Sequence, residues 1–311
     1  MNFNEMIQIF FLILPSFIVI ALGGFLKMVN VAKDSWVDIL NKYGLWVGFP
    51  SLIFETLIKL DKNRVVSKID IFIVNLIFLV FLIILAISIT KLSGVKKKLA
   101  NSFIICTFFG NVAYLGYPVV MSVFPNREAE LSVIISIYVL VLFTIGIGWL
   151  EFGRSNRINL LKLILNFVLN PFIIAITLGI IFLMFEIRLP LYIEKAFVML
   201  KASASPVVLI ALGIFIYRRI SLRKIFIPVL LLTGIKLVIV PTIFLTTTLL
   251  FQSVGKLSVS IIESAMPLAI TPFALSSMYD LEREVIGTAI VFSTLLSMVT
   301  LPIFIYLVRS F

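Results

Sequence analysis

Phe109-Gly110-Asn111-Val112-Ala113-Tyr114-Leu115-Gly116-Tyr117-Pro118 sits in the middle of an uncharged run from Leu99 to Asn126. The run is long enough to cross a bilayer, at 1.5 Å of rise per helical residue. Yet two glycines, an asparagine and a proline stand where a plain membrane helix carries leucine. In hydrocarbon every freed backbone group must find a partner, so an interrupted helix persists only inside protein or beside a water-filled cavity. An interruption at mid-membrane is the sequence sign of a transporter's binding site.

The rest of the chain agrees with a membrane setting. It has 311 residues, of which 61% are hydrophobic and only 13% charged, with a mean hydropathy of +1.20. No soluble domain hides that much apolar surface, so the composition reads as an all-α integral membrane protein. The net charge of +11 comes from short basic clusters between apolar runs, the pattern of membrane loops, and it does not point to nucleic acid. A lone cysteine, Cys106, gives neither a disulfide framework nor a cysteine-based metal site within one chain. Histidine is absent, which removes the commonest metal ligand and the usual near-neutral proton carrier.

Apolar runs fall at about 6–28, 36–58, 70–91, 99–124, 131–152, 160–185, 195–217, 225–250, 257–280 and 285–308, which predicts ten spans. The first carries Glu5 and no basic leader, so it reads as a retained span. More lysines and arginines fall on the side holding Lys96–Lys98, Arg154, Arg157, Arg218, Arg219, Arg223 and Lys224. The positive-inside rule then places both termini outside the cytoplasmic membrane, against the pull of Lys59, Lys62, Arg64 and Lys68. Prolines recur between the halves. Pro15–Gly23 resembles Pro171–Gly179, Pro50 matches Pro206, and Pro118 matches Pro272. Five spans per half force the second copy upside down. The expected architecture is two inverted five-helix repeats, residues 1–153 and 154–311.

The second interruption is Ser264-Ala265-Met266-Pro267-Leu268-Ala269-Ile270-Thr271-Pro272-Phe273, with two prolines that each remove a backbone donor. Inverted symmetry brings it against the first, so broken spans four and nine are expected to cross near the bilayer centre. Half-helix N-termini there present free N–H groups and positive dipole ends, an environment suited to an anion and most naturally a carboxylate. Asn111 adds an amide, and Tyr114 and Thr271 add hydroxyls.

Asn111-x-x-x-x-Gly116-x-Pro118 resembles the broken fourth helix of the auxin efflux carrier family, which includes plant auxin carriers and bacterial carriers for malonate. Met266-Pro267 through Ile270-Thr271-Pro272-Phe273 is similar to that family's ninth-helix crossing. Ala204-Ser205-Pro206 with Leu212-Gly213 resembles its seventh helix, and Lys236 with Pro241 its eighth. The resemblance implies a fold like that of bile-acid symporters, working as an elevator. Spans 1, 2, 6 and 7 would form a scaffold, possible ground for a homodimer, and spans 3–5 and 8–10 the moving transport part. It implies a carrier of small organic anions, auxin-like or a dicarboxylate such as malonate. Asn111, Tyr114, Gly116 and Pro118 would meet the substrate from one break, and Ile270, Thr271 and Pro272 from the other.

Three charged residues are candidates for coupling or charge pairing. Lys236 lies deep in span eight, Glu263 just before the second break, and Glu55 within span two. Lys42 and Lys201 read as snorkelling side chains near span ends. Glu151 reads as an interfacial neighbour of Arg154, Asp280 as part of a solvated acidic turn, and Lys96–Lys98 as headgroup contacts. No cofactor is implied, and the coupling ion stays open between proton and sodium. A sodium-coupled bile-acid-type symporter is the alternative, but its sodium sites need more Glu, Asn, Gln and Ser around the breaks. A membrane-embedded enzyme is the more distant one, and this chain lacks the Ser–His, His-metal or paired-Asp sets it would need. The expectation is a protein that is not an enzyme, with an organic anion and membrane lipids as its partners.

Overall fold

The computed structural model describes residues 3–59, 69–155, 161, 164–165, 168–217, 225–276 and 278–310. Among the described residues the secondary structure is helical, apart from one isolated β-bridge. Helix α1 spans Phe3–Met28; α2, Asp34–Tyr43, runs through a wide turn at Gly44–Gly48 into α3, Phe49–Ile58. Next come α4, Ile69–Leu92, and α5, Lys97–Phe108. A wide turn at Val112–Gly116 leads into α6, Tyr117–Val123. Helix α7, Glu128–Val141, continues through Leu142–Gly146 into α8, Ile147–Ser155. The second half holds α9, Pro171–Met184, α10, Leu191–Ile216, and α11, Phe226–Gly234. A wide turn at Ile235–Ile239 joins α11 to α12, Val240–Leu250. The last elements are α13, Val254–Ser264, the short α14, Thr271–Leu275, and α15, Arg283–Arg309.

Six of these helical stretches are long and apolar enough to cross a membrane: Asn4–Met28, Ile69–Leu92, Glu128–Gly153, Leu191–Ile216, Phe226–Leu250 and Arg283–Arg309. The predicted spans at 99–124 and 257–280 are split between two helices each, and Pro171–Met184 is a shorter apolar helix. The basic residues Lys62, Arg64, Lys68, Arg157, Lys162, Arg218, Arg219, Arg223 and Lys224, and the side chain of Arg154, lie outside the described residues.

Proline explains three of the four wide turns. Each of Gly44–Gly48, Val112–Gly116 and Ile235–Ile239 is followed at the second residue by a proline: Pro50, Pro118 and Pro241. A proline has no N–H, and its ring pushes away the carbonyl four residues back, which falls inside the turn. The backbone answers with an i→i+5 bond, as from Gly116 N–H to Asn111 O at 2.9 Å. Pro118 therefore stands in the first turn of α6 and widens the turn before it; the chain leaves the helix earlier, at Phe109–Asn111. Pro171 starts α9, where Asn170 Oδ1 accepts from Phe172 N–H at 2.9 Å.

Helix α1 packs closely on α10, where Gly23 and Gly213 lie against the backbones of Ile210 and Ile20, and α3 packs on α9 and α10. Only residues without a Cβ permit that approach. Helix α4 packs on α5 and α7, α15 packs on α11 and α13, and α1 also packs on α15 and α6.

Candidate functional site

The two interruptions meet. After α5 ends at Phe108, Phe109 turns extended, with φ −103° and ψ 100°. Gly110 forms an antiparallel bridge with Leu268, and Asn111 N–H donates to Pro267 O at 2.7 Å. From the other side, Leu268 N–H donates to the hydroxyl of Ser293 on α15 at 3.1 Å. The freed backbone groups of Asn111, Pro267 and Leu268 are thus taken up by the opposite break or a neighbouring helix, as irregular backbone inside a membrane requires.

A cavity of ≈ 20 Å³, about the room one water needs, opens beside this crossing. Asn111, Tyr114 and Thr271 line it with Phe109, Phe143 and Phe172. Asn111 is 2% exposed, and neither its Nδ2 nor the Tyr114 hydroxyl has a hydrogen-bond partner. The Tyr114 ring stacks on Phe49, with centroids 5.1 Å apart and planes 8° apart, and Phe49 in turn faces Phe172 at 6.3 Å. The amides of Val112–Tyr114 open a helical segment, so no carbonyl stands one turn behind them. The arrangement places two unpartnered polar side chains in the wall of a small, largely apolar and aromatic cavity.

The remaining sequence candidates lie around this cavity and do not line it. Gly116 is buried against Glu263, Pro118 is half-buried in α6, and Pro272 is buried at the start of α14. Ile270 is buried, and its carbonyl accepts from Phe273 and Ala274 N–H at 3.0 and 3.2 Å. Phe172, which lines the cavity, and Phe49, which stacks behind Tyr114, carry no distinguishing sequence signal among 29 phenylalanines; only their place beside Pro171 and Pro50 sets them apart.

Behind the crossing lie two fully buried ionisable side chains. Lys236 Nζ donates to Ser264 O at 3.1 Å, and its end presses on Gly110 so closely that a Cβ there would come within 2.8 Å of Cε and 2.9 Å of Nζ. One peptide thickness thus separates the ammonium from the backbone beside the cavity. The Glu263 carboxylate lies against Gly116, where a Cβ would come within 2.5 and 2.6 Å of its oxygens, and neither oxygen has a hydrogen-bond partner.

Glu55 has a different setting. It is 2% exposed and held by Lys59 at 2.5 Å and Lys201 at 2.7 Å. Lys201 also pairs with Glu128, which accepts from the Tyr117 hydroxyl, and Lys59 pairs with Glu194 at 3.1 Å. Glu55 and Glu194 hold the Lys59 ammonium above the usual lysine range through these hydrogen bonds. Lys201 therefore does not snorkel, as its sequence position suggested; it bridges α3 and α10 to α7, because two carboxylates stand within its reach. Glu151 accepts from Tyr279 at 3.0 Å, Lys97 donates to Gly153 O, and Lys98 lies 4.0 Å from Glu282.

Comparison with known proteins fixes the class. Residues 8–305 match the family described as membrane transport protein. The chain belongs to that family, the auxin efflux carrier family of the sequence resemblance. It is similar to an uncharacterized transporter of Methanocaldococcus jannaschii, 23% identical over 92% of this chain and 94% of that one. It is 23% identical to a protein of Rhizobium meliloti named "Putative malonate transporter", over 98% of this chain and 97% of the other. Auxin efflux carrier component 8 of Arabidopsis thaliana is 24% identical over 47% of this chain and 43% of its own length. The protein is thus an integral membrane transporter.

Proposed function

We propose that this protein is a secondary carrier of small organic anions that binds a substrate carboxylate where the two interrupted helices cross. The observation that carries this reading is that Asn111 and Tyr114, whose amide nitrogen and hydroxyl lack partners, both line one cavity beside the paired breaks. Lys236 behind Gly110 adds a positive potential to the same point. Malonate and auxin, the compounds in the relatives' names, are both carboxylic acids. Phe109, Phe143 and Phe172, which line the cavity, favour an acid with an apolar or aromatic body.

The carrier works by elevator-type alternating access. Helices α1–α3, α9 and α10 form the scaffold, the surface through which a homodimer would assemble, and α4–α8 with α11–α15 form the transport part. Residues 1–153 and 154–311 are its inverted repeats, and both termini lie outside the cytoplasmic membrane. The packing of α1 on α10 and of α3 on α9 supports the grouping. The Lys201–Glu128 pair joins scaffold to transport part and must open when the transport part moves.

Binding of radiolabelled malonate and indole-3-acetate to purified protein tests the site. A hydrogen bond to a charged group contributes about 1.5–3 kcal/mol. Asn111→Ala should therefore weaken binding by roughly 10–100-fold with an unchanged melting temperature. Unchanged affinity in the variant would remove Asn111 from the site.

A further inference from the structure

Glu263 and Lys236 flank the same peptide of the second break, yet they do not pair. The lysine donates to the carbonyl of Ser264, and the carboxylate of the preceding residue lies on Gly116, with no hydrogen bond between the two. Both are 0% exposed, and both oxygens of Glu263 lack any donor. An ionised carboxylate sealed from water without a hydrogen bond or a contacting cation is strongly disfavoured, and such a group takes up a proton instead.

Among the described residues, Glu263 has no other cation near it than Lys236. Tyr138 on α7, Tyr114 in the wide turn and Cys106 on α5 are the other titratable groups at this depth, and all three are ordinarily neutral at physiological pH. Helix α12 carries no titratable group. On α4, α5, α7 and α15 the charged residues Asp70, Lys91, Lys97, Lys98, Glu128, Glu130, Arg283, Glu284 and Arg309 stand in first or last turns. Tyr117 on α6 is engaged with Glu128. Lys236 is therefore the cation that decides the charge of Glu263.

Taking the crossing as the anion site, we infer that Glu263 is a proton-binding site whose occupancy is set by Lys236, so that the carrier takes up one proton with each carboxylate. With an anion at Asn111, Lys236 balances the anion across Gly110, and Glu263 holds its proton. Without the anion, Lys236 turns to compensate the Glu263 carboxylate, which gives its proton to the water on the side to which the crossing opens. No covalent bond other than this O–H changes. For a monocarboxylate the loaded and the empty centre both carry no net charge, so neither state drags a bare charge through the membrane. The sign follows by linkage. Protonated Glu263 favours the anion, so falling pH raises anion affinity by about tenfold per pH unit until Glu263 is protonated in the empty protein as well.

Two measurements test this, one of them independent of any ligand. Calorimetric titration of malonate and of indole-3-acetate in buffers of different ionisation enthalpy counts the protons taken up on binding. Wild type should take up about one per anion, and Glu263→Gln none, with an affinity that no longer varies with pH. Binding without proton uptake in wild type, or unchanged uptake in Glu263→Gln, overturns the inference. Infrared spectra of the ligand-free protein should show a protonated-carboxyl stretch that titrates in wild type, disappears in Glu263→Gln and persists to higher pH in Lys236→Gln. A spectrum indifferent to both substitutions also overturns it. If the infrared band behaves as stated but neither acid binds, the proton site stands and the carboxylate reading falls.

Discussion

Gly116→Ala exposes the contact on which the buried acid depends. Gly116 closes the wide turn before α6, and a methyl there would come within 2.5 and 2.6 Å of the two Glu263 oxygens. Those oxygens are buried on α13 and have little room to retreat. Overpacking of this kind costs about 1–3 kcal/mol. Helical preference alone would make the change a gain of about 0.8–1 kcal/mol. The single variant should then be destabilised by up to about 2 kcal/mol, or near neutral where the two effects balance. Removing the carboxylate separates them. In a Glu263→Ala background, Gly116→Ala should stabilise, and the double-mutant cycle should give an interaction of about 1–3 kcal/mol. Unfolding by SDS titration in mixed micelles reads all four proteins. Additive effects, within about 0.5 kcal/mol, would refute the contact between the first break and Glu263.

Lys201→Met leaves Glu55 with Lys59 alone and should cost about 1.5–3 kcal/mol, with part of the loss recovered by also changing Glu55→Gln; thermal melting in detergent checks both. Tyr114→Phe removes a hydroxyl that has no partner, so stability should hold while carboxylate affinity falls by roughly tenfold in equilibrium binding. Gly213→Leu places a side chain against the Ile20 carbonyl, where backbone cannot yield; it should abolish recovery of monodisperse protein, whereas Gly255→Ala, which meets open space, should behave as wild type on size exclusion.

The first break was legible because Gly110 and Asn111 interrupt an otherwise apolar run, and the burial of Lys236 because it stands in mid-span. The way Pro118 acts was less so. Proline in a membrane span reads as the break itself, while here it starts α6 and widens the turn before it. The places of Phe172 in the cavity wall and of Phe49 behind Tyr114 were invisible, since one apolar aromatic among many acquires meaning only through the partner it meets. Lys201 was misread for the same reason: its reach to Glu55 and Glu128 depends on helices far away in sequence. Glu263 was noticed by its position before the second break. That it faces Gly116 instead of Lys236 is a tertiary fact that no local pattern carries.

Entrance counterflow in proteoliposomes tests the central claim most directly, because it detects exchange of a solute whether or not net charge moves. Vesicles preloaded with unlabelled malonate or indole-3-acetate should transiently accumulate the labelled acid, saturably. The signal should be lost with Asn111→Ala and kept with Gly255→Ala. Accumulation unaffected by Asn111→Ala, or none for any mono-, di- or aromatic carboxylate with folded protein, would contradict a carboxylate site at the crossing.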